Sequence, residues 1–156
     1  MYMPVLLVHS WLRWVVLIVG LLAIARAVSG VNTRRPWTPD DDRAGRWFII
    51  ALDVQFVLGL LLYGGLSPVT ASAFVDMAAA MKEASIRFFA VEHPTGMIVG
   101  IALAHIGRAR IRKASDSESR HKLALIFFAL ALLIILASIP WPIGPGARSL
   151  FRGLGF

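Results

Sequence analysis

The chain contains no cysteine among its 156 residues. This absence excludes disulfides, thiolate metal sites, iron–sulfur clusters and covalently attached c-type haem. Charged side chains are also scarce: they make up 16% of the chain, against 58% for hydrophobic residues, whereas soluble domains average about 25% charged residues. The composition therefore argues against a soluble domain and against disorder, and the length fits a single domain.

Four apolar stretches are long enough to cross a hydrocarbon core, which takes about 20 helical residues. Backbone groups in lipid must be satisfied within their own segment, so each stretch is predicted to be a helix. The first is expected to be retained, because the N-terminus lacks the basic region of a cleaved signal peptide. The sequence thus predicts an all-α fold, a single four-helix transmembrane bundle over residues 1–156, with spans near residues 5–25, 47–66, 88–107 and 123–139.

Lysine and arginine are distributed unevenly over the connections between these spans. Five arginines lie between the first and second spans and six basic residues between the third and fourth, whereas the remaining connection and the tail carry only four. The positive-inside rule then places the two basic connections in the cytoplasm and both termini outside. Because this charge flanks the spans without interleaved stacking aromatics, nucleic-acid binding is not expected.

The connections and the tail carry expectations of their own. A short amphipathic helix over residues 70–83 is predicted to lie on the outer membrane surface. The acidic run from Asp40 to Asp42 is interpreted as a solvated cap of the second span, since carboxylates suit a helix N-terminus. The tail is rich in Pro and Gly and is predicted to be irregular. Three of its aromatic residues are expected to anchor it at the interface or on a neighbouring subunit: Trp141, Phe151 and Phe156.

Ionisable residues inside a span are costly and are therefore candidates for function. Six fall within the predicted spans: His9, Arg13, Asp53, Glu92, His93 and His105. His9 and His93 each lie five residues beyond the outer start of their span, roughly 7–8 Å deep at 1.5 Å per residue. Two imidazoles at matching depth on separate helices are what bis-His axial ligation of a b-type haem requires. The competing interpretation is that each histidine only hydrogen-bonds a neighbouring helix.

Small residues accompany both histidines on their helical faces. Gly20 lies eleven residues after His9, and Gly96 and Gly100 lie three and seven residues after His93. These spacings return to the same face of an α-helix. The glycines either leave room for a flat porphyrin or let bare helices pack closely.

Arg13 lies one turn deeper than His9 on the same face. Its guanidinium suits a haem propionate, which is a carboxylate, and the alternative partner is Asp53 on the second span. Both pairings stay open on sequence grounds. Gln55 is interpreted as an interhelical hydrogen-bond donor and not as a ligand.

The residues around His93 carry two further expectations. Glu92 faces away from His93 and is expected to pair with Arg87, the alternative being proton relay to a quinone. Pro94 lacks a backbone N–H and clashes with the carbonyl of Ala90, so a kink is expected there. That kink would change the direction in which His93 points.

His105 and His121 raise the question of a second haem near the cytoplasmic side. His105 lies twelve residues after His93, about 120° around the helix and therefore off the His93 face. His121 lies at the start of the fourth span between two basic residues and is interpreted as a solvated interfacial residue. A second site at His105 and His121 is the less favoured interpretation.

Four segments resemble a family of small bacterial four-helix membrane proteins commonly labelled "cytochrome B", of the Bacteroidetes type. They are HSWLRWVVL (9–17), RFFAVEHP (87–94), HIGRARIRK (105–113) and ASIPWP (137–142). The chain is also similar in outline to cytochrome b561-type bundles, which hold haem between histidines on different helices. The resemblance implies haem ligands at His9 and His93 and a location in the bacterial inner membrane. The chain departs from the two-haem b561 pattern, because too few of its histidines align with that pattern.

These observations predict a b-type haem protein that passes electrons between a quinone or partner subunit and a redox chain. We expect it to act as a subunit of a larger membrane complex, in contact with lipid and other membrane proteins, and not as an enzyme on its own. The alternative is a cofactor-free accessory subunit in which the polar residues join the helices. A small transporter is a weaker third class, because the sequence has no inverted repeat.

Overall fold

Every element of regular structure in residues 1–151, the part of the chain that the computed structural model describes, is helical. Four helices, two of them extended by adjoining π-helical turns, are long and apolar enough to cross a membrane. The predicted all-α four-helix fold is therefore confirmed, and the chain is a multi-pass membrane protein. The helices are α1 (Tyr2–Thr33), α2 (Pro39–Leu61), α3 (Pro68–Val75), α4 (Met77–Ala80), α5 (Ala84–Arg87), α6 (His93–Lys113) and α7 (Ser117–Ser138). The prediction for Phe156 lies outside the described residues.

The four long helices pack unevenly around the bundle. The contact between α6 and α7 is the most extensive, α1 packs on both α2 and α7, and the contact of α2 with α6 is the smallest of the four between adjacent long helices. Glycine explains the close approach of α6 and α7. A Cβ at Gly96 would overlap the side chain of Ser138, and one at Gly100 would lie 2.7 Å from Ile135 Cγ1. These two glycines therefore serve helix packing, one of the two roles that the sequence left open.

The centre of the bundle is filled by aromatic and aliphatic side chains. Phe48 and Phe128 are 0% and 1% exposed and meet edge to face with ring centres 5.5 Å apart. A Cβ at Gly20 would lie 2.8 Å from the Phe48 ring and 3.2 Å from Leu132. Gly20 thus makes room for the core phenylalanine and not for a cofactor.

The connection between α2 and α6 differs from the single surface helix predicted over residues 70–83. It contains three short helices, because Asp76 adopts a non-helical conformation and its side chain accepts a hydrogen bond from the backbone N–H of Ala79 at 2.9 Å, starting a new helix. A π-helical turn (Phe88–Glu92) then leads directly into α6. Arg87 and Glu92 form the expected ion pair across this turn at 2.8 Å.

Asp41 organises the end of the bundle where α1 ends and α2 begins, which we call the basic end. Asp41 and Thr38 form a capping box at the start of α2, as the prediction of a cap requires. The same carboxylate binds Arg26 at 2.9 Å and Arg35 at 2.6 Å and is only 4% exposed, so the prediction that it is solvated is wrong. Burial raises the pKa of Asp41, but the hydrogen bonds from Arg35 and Thr38 outweigh it, and the net pKa lies well below its usual range.

Two further contacts close the basic end. Both terminal nitrogens of Arg108 donate to the Asp42 carboxylate at 2.8 and 2.9 Å, which joins α6 to α2. His121 of α7 is 0% exposed, with its ring 4.9 Å from that of Trp37 and in the space left by the missing side chain of Gly30. The interpretation of His121 as a solvated residue is therefore wrong: it lies on the face of α7 that meets α1.

We predict that Asp41→Ala lowers the free energy of unfolding by about 2 kcal/mol, because it removes a helix cap and leaves two guanidinium groups without their acceptor. The matched control is Asp40→Ala, whose pair with Arg43 is exposed and is worth less than about 1 kcal/mol. Unfolding of the purified protein in mixed micelles measures both changes.

The same contact predicts a pH dependence. Because the pKa of Asp41 is lower in the folded state, its stabilisation is present above the ordinary value of 3.8 and is lost as the pH falls below it. Asp41→Ala should remove this part of the acid sensitivity. Equal losses of stability in the Asp40 and Asp41 variants would contradict the account.

Candidate functional site

His9 of α1 and His93 at the start of α6 come together, as their matching depths predict. Their ring centres lie 6.5 Å apart and the ring planes are inclined at 78°. Both residues are half-buried. The structure therefore brings together the two histidines that the sequence analysis pairs, at the end of the bundle where α1 and α6 begin, which we call the histidine end.

The chain before His93 has a shape that Pro94 imposes. Pro94 cannot donate to the carbonyl of Ala90 and would clash with it in a regular helix. The π-helical turn Phe88–Glu92 accommodates this position, and the Tyr63 hydroxyl donates to the Ala90 carbonyl at 2.9 Å. The predicted kink is thus a π-helical turn. Such turns are frequent at functional sites, and this one sets the direction of His93.

One ring nitrogen of His93 is held by α7. Nδ1 lies 2.7 Å from the backbone carbonyl oxygen of Ser138. Since a carbonyl only accepts, Nδ1 carries the proton, and Nε2 is left without it. In metal-binding histidines, a hydrogen bond from the ring nitrogen that does not bind the metal fixes the tautomer and the orientation of the ring in the same way.

His9 is held less completely. The side-chain amide of Gln55 donates to the His9 backbone carbonyl at 3.0 Å, and its nitrogen lies 3.3 Å from His9 Nε2, which confirms Gln55 as an interhelical donor. The Nδ1 atom of His9 is buried and has no hydrogen-bond partner within residues 1–151. A Cβ at Gly59 would lie 3.3 Å from the His9 ring, so this glycine leaves space beside the imidazole. Buried polar atoms are rarely left unpaired without a functional reason.

A cavity of about 370 Å³ lies beside both rings, within the range of about 300–1,000 Å³ that is usual for ligand sites. Its walls are mostly apolar and come from α1, α2, α6 and the connection between α2 and α6. The described lining residues include no Asp or Glu. The polar and cationic residues that line it are Tyr2, His9, Ser10, Arg13, Gln55, Tyr63, Ser67, Thr70, His93, Thr95, Arg148 and Ser149. The cavity is therefore mainly apolar and has positive charge in its lining.

Two arginines supply that positive charge. Arg13 is 8% exposed and donates to the carbonyl of Leu150 at 2.6 Å. Arg148 lies over the Phe89 ring at 4.6 Å. Asp53, the alternative partner proposed for Arg13, instead pairs with His105 at 2.8 Å. Of the two roles for Arg13 that the sequence left open, the ion pair with Asp53 is therefore excluded.

The remaining predicted positions lie elsewhere. Gly20, Gly96 and Gly100 are used in helix packing and do not line the cavity. His105 is bound to Asp53 and His121 is packed against Trp37, so the two histidines of the less favoured second site have separate surroundings.

The sequence analysis missed Gly59, Tyr63 and Arg148 as parts of the site. Gly59 has a signal that could have been used, because it lies four residues after Gln55 and therefore on the same helical face. Tyr63 lies in a second π-helical turn (Leu62–Leu66) that follows α2, and Arg148 lies in the tail. No periodic pattern in the sequence predicts either of these.

Comparison of the chain with protein-family models, with curated proteins and with solved structures finds no significant match. The functional evidence is therefore the site itself: two adjacent imidazoles, a mainly apolar cavity and two arginines in its lining.

We predict that Tyr63→Phe lowers the free energy of unfolding by about 1–3 kcal/mol, because the buried Ala90 carbonyl loses its donor. Tyr2→Phe is the matched control, since Tyr2 is the only other tyrosine and lies at the cavity edge. Thermal unfolding in detergent compares the two. If both variants unfolded at the temperature of the parent, the role assigned to the Tyr63 hydroxyl would be refuted.

Proposed function

We propose that this chain is a b-type haem protein of the bacterial inner membrane, with His9 and His93 as the two axial ligands. The separation of the rings carries the proposal. An iron bound at about 2 Å by one nitrogen of each imidazole places the ring centres roughly 6 Å apart, and the observed distance is 6.5 Å.

Three features of the surroundings fit the same group. His93 has its proton fixed on Nδ1 by Ser138, so Nε2 has the lone pair that a ligand needs. His9 has a buried Nδ1 without a partner, which indicates that its ring is not fully satisfied by the protein alone. The cavity walls suit an apolar macrocycle, and Arg13 and Arg148 suit its two propionates.

A bound haem supplies one-electron redox chemistry at the iron. The residues of the chain orient the ligands, exclude water and set the local charge. Ser138 and Gln55 hold the two imidazoles in position, and the apolar walls keep water away from the ligands. The arginines place positive charge near the site and thereby favour a reduced, less positive centre.

The orientation follows from the basic connections, which favour a cytoplasmic basic end and an outer histidine end. On this arrangement the site exchanges electrons with a quinone in the membrane or with a partner subunit on the outer side. The chain serves as an electron-transfer subunit, and any catalysis belongs to a larger assembly.

We predict that the purified protein has a reduced-minus-oxidised spectrum with a b-type α band, and that His9→Ala together with His93→Ala abolishes it. His105→Ala is the control and should retain the haem-to-protein ratio of the parent, because His105 lies outside the cavity. The pyridine haemochrome assay measures the ratio, and circular dichroism checks that each variant is folded.

Two outcomes would contradict the proposal. If haem survived in the folded double variant, His9 and His93 would not be the ligands, and His105 and His121 would be tested next. If the parent protein, expressed with an ample haem supply, were colourless, the chain would be the cofactor-free accessory subunit.

A further inference from the structure

An exposed acid–base pair lies on the side of the bundle formed by α2 and α6. Asp53 of α2 and His105 of α6 meet at 2.8 Å, yet their side chains are 50% and 47% exposed. Both lie inside helices long enough to span the membrane. Ionisable residues at such positions almost always face the interior of a bundle or a partner, because exposure to lipid is costly.

The pair lies in the middle of two exposed stripes on either side of the contact between α2 and α6. One exposed stripe of α6 follows intervals of four and three positions: Ile98, Ala102, His105, Ala109 and Arg112. On α2 the stripe contains Ile50, Asp53, Val57 and Leu60. This spacing is that of a helix–helix seam. We call these two stripes the α2/α6 face.

We infer that the α2/α6 face is the interface with a second copy of this chain, related by a two-fold axis along the membrane normal. Charge complementarity favours a second copy as the partner. The face presents one carboxylate and one imidazole side by side at a single depth, so a two-fold rotation brings His105 of each copy towards Asp53 of the other. A different protein would have to supply an acid and a base of its own at the same level, whereas a second copy supplies both by symmetry.

The surroundings of the pair suit such a contact. Ala102 and Ala109 lie on either side of His105 on the exposed stripe and allow α2 of the second copy to approach α6 closely. In the dimer, the two carboxylates and the two imidazoles would lie together between the copies and away from lipid. The inference uses a different face from the haem cavity and does not depend on bound haem.

The absence of cysteine from the chain allows a direct test with single cysteines in native membranes. Ala102→Cys should form a linked species of twice the 17.1 kDa chain mass on treatment with a flexible bis-maleimide, because the two copies of residue 102 lie diagonally across the contact. Leu130→Cys on α7 is the matched control and should cross-link at least tenfold less. Leu130 is 46% exposed and lies at a similar depth: it is eight residues before Ser138, and Ala102 is nine residues after the His93 that binds Ser138.

Cross-linking that is equal at the two positions, or absent at Ala102→Cys, would overturn the inference. So would a cross-linked species of any other mass, because it would identify a different subunit on this face. The test uses the full-length chain and requires no assumption about the ligand.

A second set of variants tests the acid–base pair within the Ala102→Cys protein. Asp53→Leu should reduce the cross-linked fraction at least fivefold, and Asp53→His combined with His105→Asp should restore it, because the exchanged pair keeps the same complementarity. Circular dichroism checks folding. Two results would show that Asp53 and His105 do not form the contact. One is a folded Asp53→Leu protein that cross-links as much as its parent. The other is a folded exchanged protein that does not recover the cross-linking of the parent.

Discussion

The hydrogen bond between His93 Nδ1 and the Ser138 carbonyl is the contact on which the histidine end of the bundle depends. Ser138 is the last residue of α7, and the last carbonyls of a helix have no partner within it. The imidazole N–H of His93 satisfies one of them at 2.7 Å. One bond therefore completes the end of α7, joins it to α6 and fixes which nitrogen of His93 is free.

The positions that support this bond can be traced to two residue types. Glycine at positions 96 and 100 brings α6 close enough to α7 for the contact to form. Proline at position 94 requires the π-turn before α6, and Tyr63 satisfies the carbonyl that the proline leaves unpaired. The site is therefore built by the packing of α6 on α7, and His9 approaches it from α1 across the cavity.

Charge is arranged differently at the two ends of the bundle. At the basic end each buried or half-buried carboxylate meets arginine, as Asp41 and Asp42 show, and these ion pairs tie α1, α2 and α6 together. At the histidine end the cavity has arginines but no carboxylate among its described lining residues. The carboxylates of the first end are paired within the chain, whereas the described lining of the cavity at the second end is positively charged.

The sequence was sufficient for the helices and for the pairing of His9 with His93, because span length and depth follow from a fixed rise per residue. Rotation and packing do not follow from it. Counting residues could not show that His121 enters the space above Gly30, that Asp41 is enclosed by two arginines, or that Asp53 binds His105 instead of Arg13. Those outcomes depend on which faces of neighbouring helices meet.

We propose that His9 and His93 hold one haem iron and keep the inclination of their rings. Electron paramagnetic resonance of the oxidised, purified protein tests it most directly, since the signal of a low-spin ferric haem depends on the angle between its two imidazole planes. The angle of 78° predicts the highly anisotropic signal of near-perpendicular ligands. A high-spin signal, or the rhombic low-spin signal of coplanar imidazoles, would contradict the account.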